Sequence, residues 1–247
     1  MLPVQPVHPS RLPRDQPPLG ADGRPATRWS DPRIAATYAN RDDEAERDTV
    51  WPVLEAAARP AQSRRVSGRP DGSVLELGCG PGALAQRLAD RHWLRVYAFD
   101  VSPAMHRLGA GRFRDAWVVR TLPDSRGRIP LRRAQCTAAV AQRVLLHLAH
   151  PYLIVGLLAD TRRVLRPGAP LAVVERDTNL GPPDPDWEGA PYTEHYRLHS
   201  GATLPTTAWW HSPATIVSCL TTAGFAVEEI SSLQAVDPLL LYRAKAA

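Results

Sequence analysis

The sequence predicts an α/β fold: a mostly parallel, seven-stranded sheet with helices on both faces, an N-terminal helical lid and one cap insertion. Three observations carry this. Short apolar runs of strand length alternate with stretches of helical periodicity, the pattern of strand–helix–strand units. The first run, Val74-Leu75-Glu76-Leu77, breaks into a glycine-rich turn, Gly78-Cys79-Gly80-Pro81-Gly82, and then into a helix beginning Ala83-Leu84. The second run ends at an acid, Asp100, one helix further on, where a ribose-binding carboxylate is expected.

Taken in order, residues 1–30 are rich in proline and poor in apolar side chains, and predict a disordered tail. An arm docking on a second subunit of a homodimer is the alternative. Residues 31–247 then form one domain. Asp31-Pro32 is a helix start, with the acid as cap and the proline in the first turn. Ile34, Ala35 and Tyr38 share a face of that helix, and a second helix spans Asp43 to Ala58. A Pro/Gly-rich loop leads to the first strand at Ser73. The helix after the glycine turn runs to about Arg91, and the second strand spans Leu94 to Phe99. Ala116 to Val119 is the third strand and Thr137 to Ala141 the fourth.

Pro151 opens an amphipathic helix with Leu153, Ile154, Leu157, Leu158, Val164 and Leu165 on its buried side. It stops at Arg166-Pro167-Gly168, before a fifth strand at Leu171 to Glu175. Residues 177–211 break the alternating rhythm, and their aromatic content predicts an ordered cap over the pocket. His195 and His199 lie four apart within it, a spacing that would place both on one face of a helix, although no metal is expected. Ser212-Pro213 starts a last helix, Gly224 ends it, and Phe225 to Ile230 and Leu239 to Arg243 complete the sheet.

The glycine turn alone leaves the ligand open. Gly78-x-Gly80-x-x-Ala83 satisfies a dinucleotide fingerprint as well as a structural turn. In detail, Glu76-Leu77-Gly78-Cys79-Gly80-Pro81-Gly82 closely resembles motif I of the class I S-adenosylmethionine-dependent methyltransferases, whose sheet is Rossmann-like. Asp100-Val101-Ser102-Pro103-Ala104-Met105 resembles that family's D-x-S-P-x-M segment, and Arg163-Val164-Leu165-Arg166-Pro167-Gly168 its R-V-L-R-P-G stop.

The resemblance implies S-adenosylmethionine as cofactor and a small-molecule methyl acceptor. It places Glu76, Gly78, Cys79, Gly80 and Gly82 around the amino-acid portion, Asp100 on the ribose, and Val101 and Met105 on either side of the adenine. Tyr38 fits an early tyrosine that reaches the site. Asp124, with Ser125 beside it, is the candidate acid for the adenine amino group. The segment after the fourth strand, Gln142 to Leu148, is similar to the family's loop ending in L-x-H-L. Gln142 and Arg143 are its candidates for contacting the methionine part. His147 is the candidate base, because an unperturbed imidazole titrates near neutrality, with a structural histidine as the competing assignment. Where relatives show F-D at the start of strand four, this chain has Cys136-Thr137.

Composition narrows the classes. Apolar residues make up 44%, and the most apolar stretch, Val144 to Leu158, is interrupted by His147, His150 and Pro151, so no membrane span is expected. The N-terminus lacks the apolar run of a secretory signal, which makes the cytoplasm the expected location. Cys79, Cys136 and Cys219 are widely spaced and odd in number, against a disulfide framework or a zinc site. The net charge of +5 rests on arginine, with Lys245 the one lysine. These arginines are scattered rather than clustered, so a nucleic-acid partner is not expected. A cofactor-binding protein that does not methylate, and a nucleic-acid methyltransferase, remain the alternative functions.

Overall fold

Alternation along each strand assigns its side chains to one of two cores. A computed structural model of the chain describes residues 28–39, 41, 44–59, 72–110, 117–178, 189–234 and 238–247. The first strand, β1 (Ser73–Leu77), sends Leu75 and Leu77 to one face and Val74 to the other. β2 (Arg95–Phe99), β3 (Val118–Thr121), β4 (Ala138–Gln142) and β5 (Pro170–Arg176) run parallel to it. A hairpin, β6 (Pro191–Arg197) and β7 (Thr203–Trp209), forms a separate two-stranded sheet. β8 (Phe225–Leu233) and β9 (Leu239–Ala246) return to the main sheet, where β9 pairs antiparallel with both β5 and β8. The order is β3-β2-β1-β4-β5-β9-β8, the mostly parallel seven-stranded arrangement predicted.

Helices cover both faces. On one face lie α2 (Glu44–Ala58), through Val50, Trp51 and Leu54, and α3 (Ala83–His92), through Leu84, Ala85, Leu88 and Ala89. The other face is covered by α5 (Pro151–Val164) and α6 (Pro213–Thr222), the latter capped by Ser212 and ended at Gly224, whose φ is +86°. Full burial of one such leucine stabilises the fold by about 1.5–3 kcal/mol. The short helices α1 (Pro32–Tyr38) and α4 (Pro103–Gly109) pack together through Ala35, Ala104 and Met105. Asp31 caps α1 by accepting the Arg33 N–H at 2.7 Å. This topology reverses direction between β1 and β4, leaving a crevice beyond their carboxyl ends, where ligands of such sheets bind.

Several expectations need correction. The third strand begins at Val118 rather than Ala116, which lies outside the described residues. Leu153 is 38% exposed. The buried stripe of α5 follows Ile154, Leu158, Thr161 and Val164, and Leu153 falls one residue off it. Residues 28–30 form a single 3-10 turn instead of the end of a disordered tail, because the Trp29 ring packs against Tyr38 and the hairpin. Residues 1–27 lie outside the described part. His195 sits on strand β6 and His199 in the turn after it, so the two share no helix face. Among the described residues no three His, Cys, Asp or Glu side chains group as a metal site. No helix among them is long and apolar enough to cross a membrane.

The stripe correction is testable. Leu158→Ala empties a fully buried position and is expected to cost about 2–5 kcal/mol in denaturant unfolding, whereas Leu153→Ala is expected to stay below about 1 kcal/mol.

Candidate functional site

The crevice is built from the turn after β1. Gly78, Gly80 and Gly82 have φ of +61°, +53° and +85°, backbone angles that glycine adopts without strain. At Gly78 there is also no room, since an added Cβ would lie 2.6 Å from Val144 Cγ2. Gly82 starts α3 without a side-chain cap, and the Ala85 N–H of its first turn bonds the Glu76 carboxyl. Asp100 anchors the turn from behind: one carboxylate oxygen accepts the Gly80 N–H at 2.8 Å and the other the Ser102 N–H at 2.8 Å.

The opposite wall follows β4. Arg143 has φ +53°, an uncommon conformation for a residue with a side chain. Its guanidinium reaches the hairpin and donates to Glu194 at 3.0 Å. Arg176 donates to both oxygens of the same carboxylate, at 2.9 and 2.7 Å. Glu194 is 1% exposed, so its negative charge is buried but doubly paired. Glu175 organises the adjoining single-turn 3-10 helix, Leu145–His147, by accepting the N–H groups of Val144, Leu145 and Leu146.

Aromatic rings close the site from above. Tyr38 from α1 meets Tyr196 of the hairpin edge-on with centroids 5.0 Å apart. Trp29 contacts Tyr38, Tyr196 and His147 at 4.9, 6.1 and 5.1 Å. The Arg41 guanidinium lies 4.1 Å from the Tyr38 ring centre, and Trp51 donates from Nε1 to Gln142 at 3.1 Å. The pocket so enclosed is lined by the glycine turn, Glu76, Gln142, Arg143, Tyr38, Tyr196, Arg41, Arg47 and Trp51.

Burial sets the electrostatics. Glu76 is 5% exposed and its Oε2 has no hydrogen-bond partner. Desolvation, reinforced by the nearby Asp100 charge, pushes its carboxyl up to about 8. Burial likewise raises Glu175 to about 7, against the three N–H groups that favour its ionised form. His147 is pulled down to about 4 by burial first and then by the Arg143 charge.

Of the residues singled out in the sequence, the fold brings Tyr38, Glu76, Gly78, Cys79, Gly80, Gln142 and Arg143 to one pocket. Gly82 and Asp100 stand directly behind it as helix start and anchor. Met105 is buried under α1, and Val101 is 42% exposed beside Asp100. Asp124 and Ser125 stay apart from it. Asp124 accepts the N–H groups of Arg126 and Arg128 at 2.8 and 2.9 Å, and so closes its own exposed turn. His147 does not line the pocket but touches it through Tyr196. Arg47, Trp51, Tyr196 and Glu194 were missed as site residues. The Tyr196 and Glu194 signal was two inward positions of one strand, hidden while the segment looked like an irregular cap.

An unpaired buried acid leaves a pH signature. Because the folded state holds Glu76 protonated up to about pH 8, ligand-free stability is expected to fall as pH rises from about 4.5 towards 8. Glu76→Gln should flatten that decline by a few kcal/mol in denaturant midpoints measured at pH 5 and pH 9. An unchanged decline would show that Glu76 does not titrate there.

Residues 74–168, from β1 to the turn before β5, match the methyltransferase domain family. An uncharacterized 37.1 kDa protein in transposon TN4556 of Streptomyces fradiae is 35% identical over 136 residues, 53% of this chain and 38% of that protein. The O-methyltransferase rstn1 of Aspergillus nomiae is 28% identical over 148 residues, 59% of this chain and 64% of its own. The N-demethylindolmycin N-methyltransferase of Streptomyces griseus is 27% identical over 150 residues, 60% of this chain and 62% of its own. The chain thus spans less than two thirds of the length of each. In fold, it matches a SAM-dependent methyltransferase from Aquifex aeolicus with a TM-score of 0.62 at 17% identity, over 88% of this chain and 99% of that one. Residues 74–168 therefore resemble the methyltransferase domain family, and the chain shares its fold with SAM-dependent methyltransferases.

Proposed function

We propose that the chain transfers a methyl group from S-adenosylmethionine to a small-molecule acceptor. The observation that carries this is Glu76: a buried carboxylate with an unmet oxygen, lining the pocket beside three open-backbone glycines. An ammonium group satisfies that oxygen, and the glycine turn with the start of α3 suits a carboxylate, the two ends of an amino acid. A dinucleotide pyrophosphate offers no cation for Glu76. When bound, the cofactor supplies an electrophilic methyl group, so this chain needs no nucleophile of its own.

What the protein contributes is placement. Glu76 and the turn hold the amino-acid portion, Gln142 and Arg143 bound it at the end of β4, and Asp100 holds the turn from behind, with the exposed Val101 beside it. Restricting donor and acceptor to an in-line approach can itself supply much of the acceleration. The aromatic cover excludes water from the reacting atoms. A small acceptor agrees with the relatives named as O- and N-methyltransferases, the latter for N-demethylindolmycin.

Calorimetry should show S-adenosylmethionine binding and no comparable binding of NAD, and incubation with acceptors should release S-adenosylhomocysteine. Tight binding with no such product from any acceptor would leave a cofactor-binding protein. Gly78→Ala, which drives a Cβ into Val144 at positive φ, is expected to weaken cofactor binding at least about tenfold. Affinity should also rise with pH towards about 8, where Glu76 becomes the carboxylate that pairs with an ammonium, and Glu76→Gln should remove the rise.

A further inference from the structure

Tyr196 is the side chain that joins the pocket to the histidine outside it. It stands on β6, 4% exposed, two residues beyond Glu194 on the same inward face of the strand. Its ring lines the pocket next to Arg143 and Gln142, and its hydroxyl lies 3.4 Å from His147 Nε2. Its position is over-determined. Tyr38 packs edge-on at 5.0 Å, Trp29 at 6.1 Å, and the Arg143 guanidinium stands 5.5 Å from the ring centre. His147 is held as firmly, at the end of the turn that Glu175 caps and against the Trp29 ring.

We propose that Tyr196 is a catalytic residue of the methyl transfer proposed above, a hydroxyl relay that passes the acceptor's proton to His147. Within this pair the phenol donates to Nε2 of His147, which leaves the oxygen's lone pairs free to accept. The pocket then presents a hydrogen-bond acceptor, suited to an O–H or N–H nucleophile. As the bond from that oxygen or nitrogen to the methyl carbon forms, its bond to hydrogen breaks. That proton goes to Tyr196 Oη, and the proton of Tyr196 goes to His147 Nε2. The electron pair of the broken carbon–sulfur bond stays on sulfur, which becomes a neutral thioether. One positive charge thus moves from sulfur to imidazole, and the closed pocket gains no net charge.

The surroundings of His147 suit a transient proton holder. Burial and the Arg143 charge keep the ring neutral in the resting state, so the receiving lone pair is present at working pH. The same environment expels the proton afterwards and resets the pair. Burial also holds the Tyr196 phenol far above its usual range, so it acts as a conduit and not as a stored phenolate.

The test uses the full chain with S-adenosylmethionine and a series of para-substituted phenols of graded acidity, with product measured by mass spectrometry. Tyr196→Phe keeps the ring and removes the hydroxyl. It is expected to lower kcat about 100-fold on the least acidic phenols and progressively less towards 4-nitrophenol, which is already about half ionised at neutral pH, with the KM for the cofactor unchanged. His147→Gln, whose amide oxygen accepts a hydrogen bond from Tyr196 but cannot hold its proton, should lose about as much as His147→Ala. A loss equal across the series, or none, overturns the relay. Should the cofactor not bind at all, the function proposed above fails; should it bind and no phenol be methylated, that function rests on other acceptors. The pair itself is then decided by nitrogen NMR of histidine-labelled protein. A neutral His147 with unprotonated Nε2, shifted by Tyr196→Phe, supports the relay, and a protonated Nε2 overturns it.

Discussion

The carboxylate of Asp100 is the contact on which the rest of the site depends. One oxygen fixes Gly80 and with it the glycine turn, and the other fixes Ser102, the residue that caps α4 through the Met105 N–H. Ser102 Oγ in turn donates to the backbone oxygen of Trp29, bringing the N-terminal segment over the pocket. Trp29 and Tyr38 then meet Tyr196 of the hairpin. A single buried acid at the end of β2 is therefore connected, contact by contact, to the turn beneath the pocket and to the cover above it.

Around it stands an unusual concentration of buried carboxylates: Glu76, Asp100, Glu175 and Glu194. Each costs desolvation energy and each is accommodated differently. Asp100 and Glu175 exchange water for backbone N–H groups, and by doing so fix two turns that no regular ladder could fix. Glu194 is paired with two arginines and ties the hairpin to the ends of β4 and β5. An isolated two-stranded hairpin is marginal in water, so that tie decides whether the cover stays in place. Of these four, Glu76 alone keeps an oxygen without a hydrogen-bond partner.

What the sequence made legible was whatever is local. The strand–turn–helix at residues 73–92 and the Asp31 and Ser212 caps follow from neighbours in the chain, and the structure has them. Trp29 was lost in a proline-rich average, because one aromatic hardly alters composition yet supplies a ring to three partners. Asp124 lies apart from the pocket for a related reason. An aspartate two residues before a backbone N–H readily closes an Asx turn, and that local bond took the side chain that alignment would have sent to a ligand. The Arg143–Glu194 pair joins positions 51 residues apart, and nothing in a spacing rule links a strand end to a hairpin.

The hairpin then has a definite place in the division of labour. The parallel sheet is built from repeated strand–helix units, and its fold is shared with proteins only 17–18% identical. The other side of the pocket belongs to less regular parts of the chain, Arg143 after β4 and Tyr196 on β6. Inward positions of a strand alternate, so β6 presents two groups of different character side by side: a charge in Glu194 and a hydroxyl in Tyr196. The charge is spent on holding the cover shut. The hydroxyl, with its histidine behind it, is left to meet whatever enters.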